Sequence, residues 1–368
     1  MKTRNGIVFV APGSCSQGGI TAVVQNYKKS KFWHDCNCFE FSSSIDETGF
    51  LRKLTYLFFR YPVFLITLAS RRPRAMSLHT SYGNSFYRKL VYLLLARISG
   101  VRVVLHIHPA SFLDFYRQGS AIRKWLVRLA FRLSDRVVFL SEEQRQSFND
   151  FFTGSKSVVL SNPVQIDVYS EWRDEWQKKP HQFLYLGWII PGKGVYDLID
   201  ALPEVLEEFP GAEIIFAGNK EVEKLARYIS DRGLTSSAKV LGWVEGIEKI
   251  RLLKTSRAMV LPSYTEGVPN VLLEAMASKL PIITTAVGGI PSILEHGTSC
   301  LFVEPGNIRQ ISDAIRLLAR DDSMCAELAD SAYREVVSKY SVEVIGSQLS
   351  GIYRGYLADN NYGTSAGS

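Results

Sequence analysis

No acidic residue stands between Glu47 and Asp114, a stretch that carries ten Lys/Arg. The shortage of negative charge extends over residues 1–180, which hold 26 Lys/Arg against 13 Asp/Glu, although the net charge of the 368-residue chain is only +7. The remainder is therefore acidic. Such an asymmetry speaks about partners rather than fold, and it points to an anionic surface or substrate near the N-terminal half. Cysteine is also scarce. The five thiols, Cys15, Cys36, Cys38, Cys300 and Cys325, are odd in number and scattered, which is a poor disulfide framework. Cys36 and Cys38 stand too close for an easy bridge and lack the company of a zinc site. The expected compartment is reducing and cytoplasmic.

Long apolar runs are missing as well. The N-terminal "GIVFVAP" is a short apolar run, better read as a first strand than as a signal peptide. The segment 51–74, "LRKLTYLFFRYPVFLITLASRRPR", comes nearest to a membrane span, but Arg60 and Pro62 interrupt it. A spanning helix needs about 20 apolar residues in succession. Arg52, Lys53, Arg71, Arg72 and Arg74 flank the segment, which leaves two readings. It is an interfacial segment on an anionic membrane, or a buried helix pair with solvated ends. Stacking and zinc motifs are absent, so the basic half does not read as a nucleic-acid site.

What is present is alternation. Apolar runs at 6–12, 74–79, 101–108, 135–141 and 157–163 are interleaved with helical patterns near 20–29, 84–98, 120–133 and 142–152. After a polar stretch at 169–182 the alternation restarts, with strands at 183–189, 212–218, 238–244, 257–263, 281–286 and 300–303. Helices are expected between these strands, and two more at 307–320 and 322–338. Continuous apolar strands separated by helices predict parallel sheets covered on both faces. The expected fold is α/β, with two doubly wound Rossmann-like domains, 1–170 and 181–340. A helix at 341–358 is expected to pack back on the first domain, and 359–368 to form a disordered tail. Two such domains imply a cleft between them, with ligands beyond the carboxyl ends of the strands.

Four stretches at such strand ends carry candidate chemistry. In "APGSCSQGGIT", Gly18 and Gly19 precede a helix, where small residues let backbone N–H groups approach an anion; a simple tight turn reads equally well. In "LHIHPASF", His106 and His108 alternate on one face of a strand, as core histidines, as a polar group for the cleft, or as the start of a metal site. In "GWIIPGKGVYDLI", Lys193 stands at a helix start, unfavourably for the helix dipole unless an anion sits between them. In "TEGVPNVLLE", Gly267 and Pro269 break the segment, so Glu266 lies in a loop and Glu274 about one turn inside a helix. A carboxylate for hydroxyls beside a helix start for phosphate describes a sugar nucleotide.

The run "EGVPNVLLEAMASKLPIITTAVGGIPSIL", with its glutamate–seven–glutamate spacing, resembles the signature of retaining GT-B glycosyltransferases of family 4 (glycosyltransferase group 1). "GKG" at 192–194, "GGI" at 18–20 and "SNPV" at 161–164 have equivalents there, and "HTSYGNSFYRKL" followed by "VVLHIH" resembles members that build bacterial surface polysaccharides. The resemblance implies a metal-independent hexosyltransferase with no cofactor beyond its UDP- or GDP-linked sugar. It implies donor binding by Gly18, Gly19, Gly187, Lys193, Glu266, Gly267, Val268, Pro269, Asn270 and Glu274. His108, with His106 as rival, Glu266 and Lys193 are the implied catalytic residues. The implied acceptor is a lipid-linked saccharide at the inner face of the cell membrane, where the protein binds peripherally. Two positions depart from the family pattern: Trp188 replaces a common Arg, and Ser292 a common acid. The alternatives are a GT-B sugar-nucleotide epimerase and a catalytically weak scaffold subunit of a polysaccharide assembly complex.

Overall fold

The computed structural model describes residues 6–13, 16–44, 50–149, 152, 156–170 and 176–357. Cys15, the tail 359–368, part of the polar stretch at 169–182 and the side chains of Arg52 and Lys53 lie outside the described residues. The chain divides into two compact units, Met1–Pro163 with Val342–Ser368, and Val164–Ser341.

The first unit runs β1 (Ile7–Ala11), α1 (Gly19–Tyr27), α2 (Lys31–Asp35), β2 (Phe39–Ser42), α3 (Phe50–Arg71), β3 (Ala75–Thr80) and α4 (Asn84–Ile98). It continues with β4 (Arg102–Ile107), α5 (Phe112–Arg117), α6 (Ala121–Leu133), β5 (Arg136–Phe139), α7 (Glu142–Gln146) and β6 (Ser157–Val159). Its sheet has the order β2-β1-β3-β4-β5-β6, and every pairing is parallel. The inner strands are buried along their length, as β1 and β3 show, because helices cover both faces. In α4, Phe86, Leu90, Leu93 and Ala96 turn inward at helical spacing, and Lys89 falls on the same stripe.

The second unit contains α8 (Ile166–Ser170), β7 (Gln182–Leu186), α9 (Val195–Glu208), β8 (Glu213–Ala217), α10 (Val222–Asp231), β9 (Ala238–Gly242) and α11 (Gly246–Thr255). Then come β10 (Ala258–Leu261), α12 (Asn270–Ala277), β11 (Ile282–Thr285), β12 (Leu301–Val303), α13 (Ile308–Arg320) and α14 (Asp322–Tyr340). This sheet is ordered β12-β11-β10-β7-β8-β9, again with parallel neighbours. The last helix, α15 (Val342–Leu357), belongs to the first unit.

Two local expectations need correction, and one strand was not expected. Segment 51–74 does not form a buried helix pair: α3 is one continuous helix through Pro62, burying Phe64 and Leu68 while Phe58, Phe59 and Ile66 are exposed. Pro62 removes one backbone donor, but tertiary packing of the Phe64–Leu68 stripe holds the helix across it. Among the described residues no helix is long and apolar enough to cross a membrane. The helix expected at 142–152 is only the five-residue α7. The edge strand β2 carries no apolar run that would announce it, since three of its four residues are only half-buried.

Candidate active site

In the second unit the chain runs outward from β7 to β8 to β9, then crosses to the other side of β7 to form β10. The carboxyl ends of β7 and β10 therefore flank a topological switch point, where doubly wound sheets open a crevice for ligand. Lys193 follows β7 and Glu266 follows β10. Their side chains meet there, with Lys193 Nζ 2.6 Å from Glu266 Oε1.

Local geometry fixes both partners. After β7, Gly187 leads through Trp188 into a 3-10 turn, Pro191–Lys193, ended by Gly194. Gly194 has φ +68°, and a Cβ there would lie 2.2 Å from the Pro262 carbonyl oxygen, so only glycine lets this turn pack on the β10 exit. The Tyr185 hydroxyl donates to the Trp188 carbonyl at 2.6 Å. Burial, and then the nearby Glu266 charge, push that phenol well above its ordinary range. Tyr264 N–H donates to the Gly192 carbonyl at 3.0 Å, and its hydroxyl donates to Asp197 Oδ2 at 2.9 Å. Lys193 also donates to the Thr265 carbonyl at 3.1 Å, and Ser263 Oγ donates to Glu266 Oε1 at 2.8 Å. The Gly267 carbonyl accepts from Gly289 N–H at 2.9 Å, tying this loop to the turn after β11.

Val268 and Pro269 lead into α12, which starts at Asn270 without a side-chain cap. Its first-turn N–H groups lie at the positive end of the helix dipole. Glu274, one turn further, is buried, and its Oε1 accepts from Lys249 Nζ of α11 at 2.8 Å. Burial and the Glu274 carboxylate hold the Tyr169 phenol of α8 well above its usual range. The two glutamates thus have separate surroundings: Glu266 with Lys193 and Ser263, Glu274 with Lys249 and Tyr169. Lys249 and Tyr169 were not singled out by sequence, and neither was Lys220, whose Nζ lies 5.2 Å from the Trp188 ring centroid. A cation therefore stands beside Trp188, supplied by the turn after β8 in a cation–π arrangement.

In the first unit, Gly18 and Gly19 open α1, again without a side-chain cap. The backbone of Gly18 is extended, and a Cβ there would meet nothing within 4 Å. His106 lies within β4 and His108 one residue beyond it. The structure joins them to a third ring that sequence reasoning missed, His79 of β3, which pairs in register with His106. His79 Nδ1 is 2.9 Å from His108 Nε2. The rings stack rather than converge, and among the described residues no group of three or more His, Cys, Asp or Glu is arranged to hold a metal ion. Lys89 is buried and donates to Ser43 Oγ.

Two six-stranded parallel sheets, each covered by helices, are the architecture of the GT-B fold. Comparison with known proteins agrees. Residues 169–335 match the family described as Glycosyl transferases group 1, and that segment belongs to it. The chain is 26% identical over 307 residues to an alpha-D-kanosaminyltransferase of Streptomyces kanamyceticus, covering 77% of this chain and 78% of that protein. It is 25% identical over 207 residues to the capsular polysaccharide biosynthesis glycosyltransferase CapM of Staphylococcus aureus, covering 54% of each. Anabaena HepE, solved in complex with UDP-glucose, superposes with a TM-score of 0.75 at 18% identity over 95% of this chain and 99% of that one. The protein is a glycosyltransferase with the GT-B fold.

Proposed function

We propose that the protein transfers a sugar from a nucleoside diphosphate to an acceptor hydroxyl, with retention of anomeric configuration. The observation that carries this reading is the Lys193–Glu266 pair, 2.6 Å apart at the switch point, beside the start of α12. Lys193 and the first-turn donors of α12 hold the diphosphate. As the bond between the anomeric carbon and the β-phosphate oxygen breaks, negative charge grows on that oxygen, and pre-oriented donors stabilise it. Glu266 keeps Lys193 in position and meets the donor sugar, while Glu274 accepts from the ribose hydroxyls. Lys220 adds a second cation near Trp188. No metal or cofactor is needed, so turnover survives EDTA; abolition restored by added metal contradicts this.

On the same reading the acceptor is a saccharide carried on a lipid at the inner face of the cell membrane. CapM, named for capsular polysaccharide biosynthesis, supports that choice. So does α3, which exposes Phe58, Phe59 and Ile66 near Arg71 and Arg72, a composition suited to lying on anionic lipid. The test of the donor assignment is a thermal-shift screen of nucleotide sugars, followed by product analysis with and without acceptor. Glycoside formed only with acceptor present supports transfer; an epimerised sugar nucleotide formed without acceptor contradicts it.

A further inference from the structure

Three histidines and one serine at the ends of β3 and β4 form a continuous chain. Ser77 Oγ lies 3.0 Å from His79 Nε2 and 3.1 Å from His106 Nε2, and His79 Nδ1 lies 2.9 Å from His108 Nε2. The rings are stacked, with centroids 4.3 Å apart for His79 and His106 and 5.2 Å for His79 and His108. His79 is 0% exposed, His106 1% and His108 9%, so His108 is the member that reaches furthest toward the surface.

Burial disfavours an imidazolium at all three positions, holding His79 and His106 well below their ordinary range and His108 at about 3. Neighbouring rings and the Lys89 cation act in the same direction. Tyr27 of α1 and Tyr353 of α15 are the other ionisable groups packed nearby. A neutral imidazole has one donor and one acceptor nitrogen, and a serine hydroxyl has a single proton. Ser77 therefore either donates to one ring and accepts from the other, or accepts from both with its two lone pairs. The polarity then runs through His79 to His108: donation from Ser77 to His79 puts the His108 proton on Nδ1, and donation from His79 to Ser77 puts it on Nε2. A buried chain left unsatisfied costs about 1–3 kcal/mol per orphaned group, so mixed arrangements are disfavoured.

We propose that His79 is a positioning residue that spends His108 Nε2 inward so that only Nδ1 meets a ligand, and that one polarity of the chain prevails, which gives His108 a single tautomer. The functional half of this inference rests on the reading of His108 as the first unit's reactive histidine; the tautomer half rests on the hydrogen-bonded, buried chain of the three rings. In the full-length protein labelled with 15N-histidine, long-range proton–nitrogen spectra at neutral pH report the tautomer of each ring. Wild type is expected to show His108 as a single neutral tautomer. His79→Phe keeps the stacked ring but removes both nitrogens, and should give a tautomer mixture at His108. It should also lower kcat about 10-fold or more with donor KM little changed. His79→Asn, whose amide can donate to or accept from His108 Nε2, should restore the inward hydrogen bond and most of kcat. A mixture at His108 in wild type, or an unchanged single tautomer in His79→Phe, overturns the proposal. If His79→Phe does not fold, Ser77→Ala cuts the chain one link further and is judged by the same spectrum. Full activity in His108→Ala refutes the catalytic reading of His108 instead, leaving the spectrum to decide the tautomer claim.

Discussion

Lys193 and Glu266 occupy one another before any ligand arrives, and this sets what substitution does. Losing a pre-oriented donor to a leaving oxygen costs roughly 100- to 1,000-fold in kcat. Lys193→Met should lower kcat by that order, and because Glu266 keeps its Ser263 hydrogen bond the loss of turnover should exceed any loss of stability in urea. Unchanged turnover in steady-state assays would remove Lys193 from the chemistry. The Lys249–Glu274 pair is buried to a similar degree, with side chains 25% and 8% exposed. Stranding a buried charge costs about 3 kcal/mol or more, so Lys249→Met should be destabilised by about that amount in urea. Adding Glu274→Gln removes the stranded charge and should recover part of the loss; a double variant no more stable than Lys249→Met contradicts the pairing. Sequence pattern could single out Lys193, Glu266 and Glu274 because each sits in a strand–turn–helix frame. It could not find Lys249, Tyr169 or Lys220, which reach the site from other elements and leave no periodic trace. Lys89 was legible in principle, since it occupies a buried-stripe position in α4.

At the scale of elements, the ends of β3 and β4 and the helix α4 place ionisable groups where the folded protein keeps them neutral. The Lys89 ammonium is pushed down to about 7 by burial and then by the Arg88 charge. Between that value and the ordinary lysine value the unfolded chain binds a proton that the folded chain does not, so the Lys89 contribution to stability rises with pH across this window. Lys89→Met should therefore be more stable than wild type below neutral pH, with a gain that shrinks toward pH 10; a gain constant with pH contradicts the assignment. The three histidines act on the acid side. All are held below their ordinary value, so the unfolded chain takes up protons first as pH falls. Stability present above about pH 6.5 is lost on acidification, by about 1.4 kcal/mol per pH unit for each ring. Thermal melts between pH 7 and 5 check this, and His79→Phe should flatten the slope. Elements with continuous apolar runs or clear helical stripes, such as β1, β7 and α9, were readable from sequence. The half-buried β2 was not. In α3 the apolar residues face solvent as well as core, so composition alone could not separate an interfacial helix from a buried pair.

For the molecule as a whole, the alternation of strands and helices was enough to read two doubly wound sheets, because parallel strands covered on both faces are apolar throughout. Strand order was not readable, and it is strand order that brings Lys193 to Glu266 and His79 to His106. The charge asymmetry acts at this scale too. Exposed Phe58 and Ile66 of α3 lie in the long stretch without acidic residues. Replacing both with Glu should reduce flotation on anionic liposomes about 10-fold or more, from lost apolar burial alone; binding indifferent to this change, or to the anionic lipid itself, removes α3 as the docking surface. The central claim concerns the diphosphate. A crystal structure of the protein with UDP or GDP tests it most directly. The account predicts the diphosphate against Lys193 Nζ and the first turn of α12, with the ribose at Glu274. A nucleotide bound away from the turn after β7 and the start of α12 would contradict it.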